Sequence, residues 1–121
     1  MFRIVLADDH EVLRAGLKSI IAQHEDWTVC GEASTGREAI EKTLQLQPDL
    51  VILDITMPDL SGINAAIKIR NLVPSTKILV YSMHDVSKMA NVLASAGVNA
   101  WVSKDASNEK LAETIEGVLR Q

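Results

Sequence analysis

The chain has 121 residues, of which 47% are hydrophobic, and its formal net charge at pH 7 is −4. This length predicts one domain, residues 1–121, with a core large enough to fold without a disulfide, and Cys30 is the only cysteine. The acidic balance argues against nucleic-acid binding by this domain, and the absence of a signal-peptide pattern or a long apolar window predicts a soluble, cytoplasmic protein.

Short apolar runs rich in β-branched residues alternate with segments of helical period, which is typical of a parallel sheet with crossover helices. The predicted strands are Arg3–Ala7, Thr28–Ala33, Leu50–Leu53, Ile78–Tyr81 and Ala100–Val102. The third and fourth runs are apolar on both faces, which predicts central strands. The second run mixes polar and apolar residues, which predicts a strand at the edge of the sheet.

In each interval between strands, and after the last strand, apolar residues recur at spacings of three and four, which predicts one helix with one buried stripe. Thr35 and Glu38 have the spacing of a capping box and predict the start of the second helix. Because crossovers between parallel strands are right-handed, helices on both faces require the winding direction to reverse. We therefore predict an α/β, flavodoxin-like (βα)5 three-layer sandwich with a parallel five-stranded sheet in the order 2-1-3-4-5.

Three carboxylates follow two of the predicted strands. Asp8 and Asp9 come directly after the first strand, and Asp54 comes directly after the third. Since these strands are neighbours in the predicted order, the three acids should meet in one cleft at the carboxyl edge of the sheet. Each acid alone could cap a helix or begin a turn, but three together predict a site for Mg²⁺ or Mn²⁺.

Two further polar residues end strands at the same edge of the sheet. Ser82 follows the fourth strand, and Lys104 lies just beyond the fifth. An ammonium group attracts phosphate or carboxylate, and a hydroxyl can donate a hydrogen bond to a phosphoryl oxygen. Considered alone, Ser82 would be a turn residue and Lys104 a solvated surface lysine. Their joint position beside the acids predicts an anion site.

Taken together, these residues resemble the receiver domain of two-component response regulators, over essentially all 121 residues. The acidic pair, the phosphoacceptor aspartate, the Ser/Thr and the lysine of that family are matched by Asp8, Asp9, Asp54, Ser82 and Lys104. A further resemblance, to the NarL/FixJ (LuxR-type) subfamily, lies in the segment ADDHEVLRAGL. Receivers of that subfamily usually precede a DNA-binding helix-turn-helix domain.

The resemblance implies a Mg²⁺-dependent reaction in which Asp54 accepts a phosphoryl group from the phosphohistidine of a histidine kinase. It implies that Asp9, Asp54 and the backbone carbonyl of Thr56 hold the cation, with Asp8 acting through water. Lys104 would hold a phosphoryl oxygen. The domain would catalyse only its own phosphorylation and dephosphorylation, and would not be an enzyme that acts on other substrates.

The same resemblance implies a switch that responds to the phosphoryl group. Ser82 would move toward the phosphate, and Trp101 occupies the position of the switch aromatic, where Tyr or Phe is usual. A packing role for Trp101, half-buried on its strand, is the alternative. Thr56 and His84 occupy positions that tune the lifetime of the phosphoryl group in this family, although for His84 the role of a plain loop residue or helix cap is favoured.

The expected output is control of transcription through a DNA-binding domain outside this chain, with a possible homodimer on phosphorylation and no contact with membranes. A stand-alone single-domain receiver is the first alternative. A small Mg²⁺-dependent aspartyl-phosphate phosphatase of the haloacid-dehalogenase type is the second. Its D-x-D-x-T motif is missing, because Ile55 and Thr56 follow Asp54.

Overall fold

The computed structural model of the chain describes residues 1–83 and 86–121. The strands are β1 (Phe2–Ala7), β2 (Trp27–Ala33), β3 (Leu50–Leu53), β4 (Lys77–Ser82) and β5 (Ala100–Ser103). The helices are α1 (Glu11–Ala22), α2 (Gly36–Leu46), α3 (Gly62–Leu72), α4 (Ala90–Ser95) and α5 (Asn108–Leu119). Strands and helices alternate along the chain as the sequence pattern predicts.

The strands lie parallel in one sheet, in the order β2-β1-β3-β4-β5, which confirms the predicted topology. The buried strands β3 and β4 are internal, and β2 is at one edge, as predicted. Ala7 pairs with Leu53, so β1 and β3 end level, and Leu53 pairs with Val80, so β4 continues two residues further to Ser82. Polar residues that follow these strands are therefore brought to one edge.

Helices cover both faces of the sheet. Because side chains alternate between faces along a strand, Val51 and Val80 pack on one face with buried residues of α2, α3 and α4. On the other face, Ile52 and Leu79 pack with buried residues of α1 and α5. The result is the predicted three-layer sandwich, with an apolar core on each side of the sheet.

The start of α2 is capped as the sequence predicts, because Thr35 Oγ1 accepts a hydrogen bond from the backbone N–H of Glu38 at 3.1 Å.

The segment after β4 differs from the single helix predicted there. A 3-10 turn at Ser87–Met89 precedes the short α4. The tighter 3-10 geometry is common in the first turn of a helix.

The pairing of β2 with β1 contains one irregularity. Ile4 lies opposite Val29, but Val5 lies opposite Gly31, so Cys30 is an additional residue in β2.

Within the described parts of the chain, no helix has the length and apolar character needed to cross a membrane.

Candidate functional site

The carboxyl edge of the sheet holds Asp8, Asp54 and Lys104 through backbone hydrogen bonds. Asp54 N–H donates to the Ala7 carbonyl at 2.9 Å, which continues the β1–β3 pairing by one residue. Lys104 N–H donates to the Ser82 carbonyl at 2.7 Å, which continues the β4–β5 pairing in the same way. The strand ends therefore fix where these three side chains begin.

The ammonium group of Lys104 lies between two carboxylates. Its Nζ is 2.6 Å from Asp8 Oδ2 and 3.2 Å from Asp54 Oδ2. The side chains of Lys104, Asp8 and Asp54 are only 1%, 3% and 5% exposed. One buried cation thus faces two buried anions, which leaves the cluster with a negative charge.

The environment of Asp54 changes its acidity. Burial raises the pKa of its carboxyl group, and the nearby Asp8 raises it further. The Lys104 ammonium opposes this rise, as does the backbone N–H of Thr56, which donates to Asp54 Oδ1 at 3.2 Å. Burial also raises the pKa of Tyr81, whose ring centroid is 5.8 Å from Lys104 Nζ.

The loop after Asp54 is closed by a tight backbone contact. Gly62 N–H donates to the Ile55 carbonyl at 2.8 Å, and a Cβ atom on Gly62 would lie 2.1 Å from the Asp54 carbonyl oxygen. Only glycine can approach the Asp54 backbone this closely. Thr56 is exposed in this loop, beside the carboxylate of Asp54.

Asp9 and His10 extend the acidic cluster toward solvent. Asp9 is exposed, and His10 Nδ1 is 3.1 Å from both Asp8 Oδ1 and Asp9 Oδ1. The sequence interpretation assigned no role to His10. Its position directly after the acidic pair, at the N-terminus of α1, was the signal that could have placed its ring here.

Ser82 and Trp101 lie on neighbouring strands close to this edge. Ser82 is fully buried at the end of β4, on the strand adjacent to the one that Asp54 follows. Trp101 pairs with Val80 and is 37% exposed, so its ring is partly in water at the edge strand β5. His84, the second residue that the sequence associates with phosphoryl lifetime, lies outside the described residues.

Arg14 connects the acidic edge to β2, a contact that the sequence did not indicate. Its Nη1 donates to the Asp8 carbonyl, and its Nε donates to Glu32 Oε1 at 3.2 Å. Lys18 Nζ is 3.0 Å from Glu32 Oε2. Hydrogen bonds from Lys18 and then Arg14 lower the pKa of Glu32 against the opposing effect of burial.

The chemistry of the donor set fits a divalent cation. Each of Asp8, Asp9, His10 and Asp54 offers one ligand atom, and these atoms all lie within 4.8 Å of one another. Carboxylate oxygens are the ligands that Mg²⁺ and Mn²⁺ prefer. The Lys104 ammonium between Asp8 and Asp54 shows that positive charge is already stabilised in this cleft.

Comparison with known proteins gives consistent matches. The family model for the response regulator receiver domain matches residues 4–116. An uncharacterized transcriptional regulatory protein, YhcZ of Bacillus subtilis, is 38% identical over 112 residues, which are 93% of this chain and 52% of YhcZ. The response regulator VraR of Staphylococcus aureus is 31% identical over 118 residues, which are 98% of this chain and 56% of VraR.

A solved structure gives the same result. The crystal structure of a LuxR-family two-component response regulator from Aurantimonas sp. superposes with a TM-score of 0.94 at 32% identity, covering 99% of this chain and 86% of that one. The chain spans about half the length of the curated relatives that it matches.

Proposed function

Because this chain belongs to the response regulator receiver domain family, we propose that its Asp54 carboxylate accepts a phosphoryl group from the phosphohistidine of a histidine kinase. The observation that carries this proposal is the buried contact of one ammonium group, that of Lys104, with two carboxylates, those of Asp8 and Asp54. A buried carboxylate beside a fixed ammonium group is suited to accept a phosphoryl group, because the ammonium group can offset the negative charge of the phosphoryl oxygens.

The proposed transfer exchanges one bond for another at phosphorus. An Asp54 carboxylate oxygen attacks the phosphorus atom, the new O–P bond forms, and the N–P bond of the phosphohistidine breaks. The electron pair of that bond leaves with the imidazole, which takes a proton from solvent. The phosphoryl oxygens then need a cation within reach, and Lys104 Nζ, 3.2 Å from Asp54 Oδ2, supplies one.

We assign the cation site to Asp9, Asp54 and the backbone carbonyl of Thr56, with Asp8 acting through water. When bound there, Mg²⁺ or Mn²⁺ supplies the positive charge that the transferring phosphoryl group requires. The acids hold the cation, and Lys104 is then free to exchange one carboxylate contact for a phosphoryl oxygen.

The response to phosphorylation is assigned to Ser82 and Trp101. Ser82 is buried at the end of β4, the strand beside β3, which Asp54 directly follows, and its hydroxyl would turn toward a phosphoryl group on Asp54. Trp101, now 37% exposed, would turn inward as Ser82 moves, which changes the surface of α4, β5 and α5. Thr56 and His84 are proposed to tune the lifetime of the phosphoryl group.

We further propose that residues 1–121 are the receiver unit of a regulator that acts on transcription. VraR and the Aurantimonas protein are described as response regulators, the latter of the LuxR family, and the curated relatives extend well beyond the matched region. In such a regulator, phosphorylation of the receiver would control DNA binding by a separate output domain and would promote self-association.

The test is phosphorylation by a small donor. Incubation with phosphoramidate and Mg²⁺ should add one phosphoryl group, detected by intact mass spectrometry, and chelation of Mg²⁺ should prevent it. Asp9→Asn, a matched change that removes one charge, should lower the labelling rate strongly. Labelling that is equally fast in Asp9→Asn or with chelator would contradict the cation assignment.

A further inference from the structure

The imidazole of His10 lies against Asp8 and Asp9, two of the three carboxylates of the proposed cation site. We propose that His10 is a direct ligand of the bound cation, and that this site therefore binds imidazole-preferring ions such as Ni²⁺, Co²⁺ or Zn²⁺ more tightly than Mg²⁺. This inference rests on the proposed function, in which the acidic cluster holds a divalent cation.

The distances fit a shared ion. His10 Nδ1 is 3.1 Å from Asp8 Oδ1 and also 3.1 Å from Asp9 Oδ1. Adjacent ligands of an octahedral ion with bonds of about 2.1 Å lie about 3 Å apart. The His10 nitrogen and the oxygen of Asp9, a direct ligand in the proposed site, thus already have the spacing of neighbouring ligands around one small cation.

The backbone explains why the ring takes this position. His10 is the N-cap of α1, with φ −95° and ψ 106°, yet its side chain makes no capping hydrogen bond to the helix. Residues favoured at this position use a side-chain oxygen to accept from free N–H groups of the first turn. Instead, the backbone N–H of His10 donates to Asp8 Oδ1 at 2.8 Å, and the His10 ring lies against the carboxylates of Asp8 and Asp9.

The ring is also free to adjust to an ion. The His10 side chain is 59% exposed, so rotation about its side-chain bonds breaks no core packing. Asp9 beside it is exposed as well. The outer half of the cluster can therefore open and close around a cation while Asp8 and Asp54 stay fixed at the strand ends.

Ligand chemistry then sets the order of affinity. Mg²⁺ prefers oxygen ligands and keeps several waters, so it gains little from an imidazole. Nickel, cobalt and zinc ions bind imidazole nitrogen well, and their affinity for a mixed nitrogen and oxygen site exceeds that of manganese. Loss of the ring should consequently weaken nickel binding far more than magnesium binding.

The first test is calorimetric titration of tag-free protein with Ni²⁺ and, separately, with Mg²⁺ at one fixed pH. His10→Asn removes the imidazole but keeps a favoured N-cap residue, so α1 should stay intact. We expect nickel affinity to fall about tenfold or more, with a much smaller change for magnesium. His24→Gln, a histidine substitution beyond the other end of α1, should leave both affinities unchanged.

The second test detects the ligand itself. Pulsed electron paramagnetic resonance of bound Mn²⁺, on protein with ¹⁵N-labelled histidine, should show a directly bonded imidazole nitrogen. The chain has three histidines, so His24→Gln and His84→Gln serve as controls that should keep the signal, whereas His10→Asn should lose it.

The outcomes separate the two proposals. If both ions bind and Asp9→Asn weakens both, but His10→Asn changes neither affinity nor the nitrogen signal, the cation site stands and His10 is not a ligand. A nitrogen signal lost only in His84→Gln would also overturn the assignment. If Asp9→Asn binds both ions normally, the proposed cation site itself is wrong.

Discussion

Replacement of Lys104 by methionine removes the ammonium group that lies between Asp8 and Asp54, and keeps a flexible side chain of similar length in its place. At an effective dielectric constant of about 20, the two contacts correspond to attractions of about 6 and about 5 kcal/mol. Much of this attraction only offsets the unfavourable free energy of removing the three charged groups from water. For one lost partner of a buried ion pair, we expect the free energy of unfolding to fall by about 3 to 5 kcal/mol at pH 7.

The pH dependence identifies the cause of this loss. Burial and Asp8 raise the pKa of Asp54, whereas Lys104 lowers it, so Lys104→Met should raise that pKa further. A carboxyl group with a raised pKa binds a proton more tightly in the folded state than in the unfolded state, where its pKa is about 3.9. The loss of stability in Lys104→Met, relative to the unchanged protein, should therefore be largest at neutral pH. It should shrink as the pH falls through the raised pKa of Asp54.

The assay is urea unfolding followed by circular dichroism at several pH values, with the double variant Lys104→Met/Asp54→Asn as control. The double variant has one fewer buried carboxylate, so it should be more stable than Lys104→Met at pH 7. Saturating Mg²⁺ should restore part of the stability of the single variant, because a bound cation replaces the lost charge. Equal stabilities of single and double variants, with a deficit independent of pH, would show that Lys104 acts through packing alone.

Three further outcomes are expected from the same geometry. Gly62→Ala should lower the free energy of unfolding by about 1 to 3 kcal/mol in urea titration, because its Cβ would meet the Asp54 carbonyl, while Gly16→Ala, with open space around it, should not. Glu32→Gln should lower the free energy of unfolding by about 0.2 to 1 kcal/mol at pH 7, because the Glu32 side chain is 36% exposed and its ion pairs are partly screened by water. Below the lowered pKa of Glu32 the carboxyl group is protonated in the wild-type protein too, so the difference should disappear. In Trp27→Phe, beryllofluoride with Mg²⁺ should shift the emission of Trp101 to shorter wavelength; unchanged emission on proven binding would exclude the inward turn.

The sheet and the meeting of the acids were predictable because both depend on the backbone. Fully apolar runs identify central strands, and parallel strands bring the residues after them to one edge, so Asp8 and Asp54 had to be close. Similar reasoning placed Ser82 and Lys104 at that edge. These predictions required no knowledge of side-chain conformation.

Other features depend on local packing that periodicity does not describe. The additional residue Cys30 in β2 leaves no pattern in a strand where polar and apolar residues already mix. The 3-10 turn before α4 is a local tightening of the backbone that the regular apolar stripe there does not indicate. The contact of Arg14 with the Asp8 carbonyl and the orientation of the His10 ring are rotamer choices, which spacing along a chain cannot give.

The central claim is that Asp54 is the residue that carries the phosphoryl group, and borohydride reduction tests it most directly. After treatment with phosphoramidate and Mg²⁺, hydride from borohydride attacks the acyl carbon of an aspartyl phosphate and phosphate leaves. A second hydride, with a proton from solvent, then reduces the resulting aldehyde to the alcohol, so that the residue becomes homoserine. Peptide sequencing by tandem mass spectrometry should find homoserine at position 54 of the treated protein and none in protein treated without donor. Homoserine at another aspartate, or a phosphoryl group that persists in Asp54→Asn, would contradict the account.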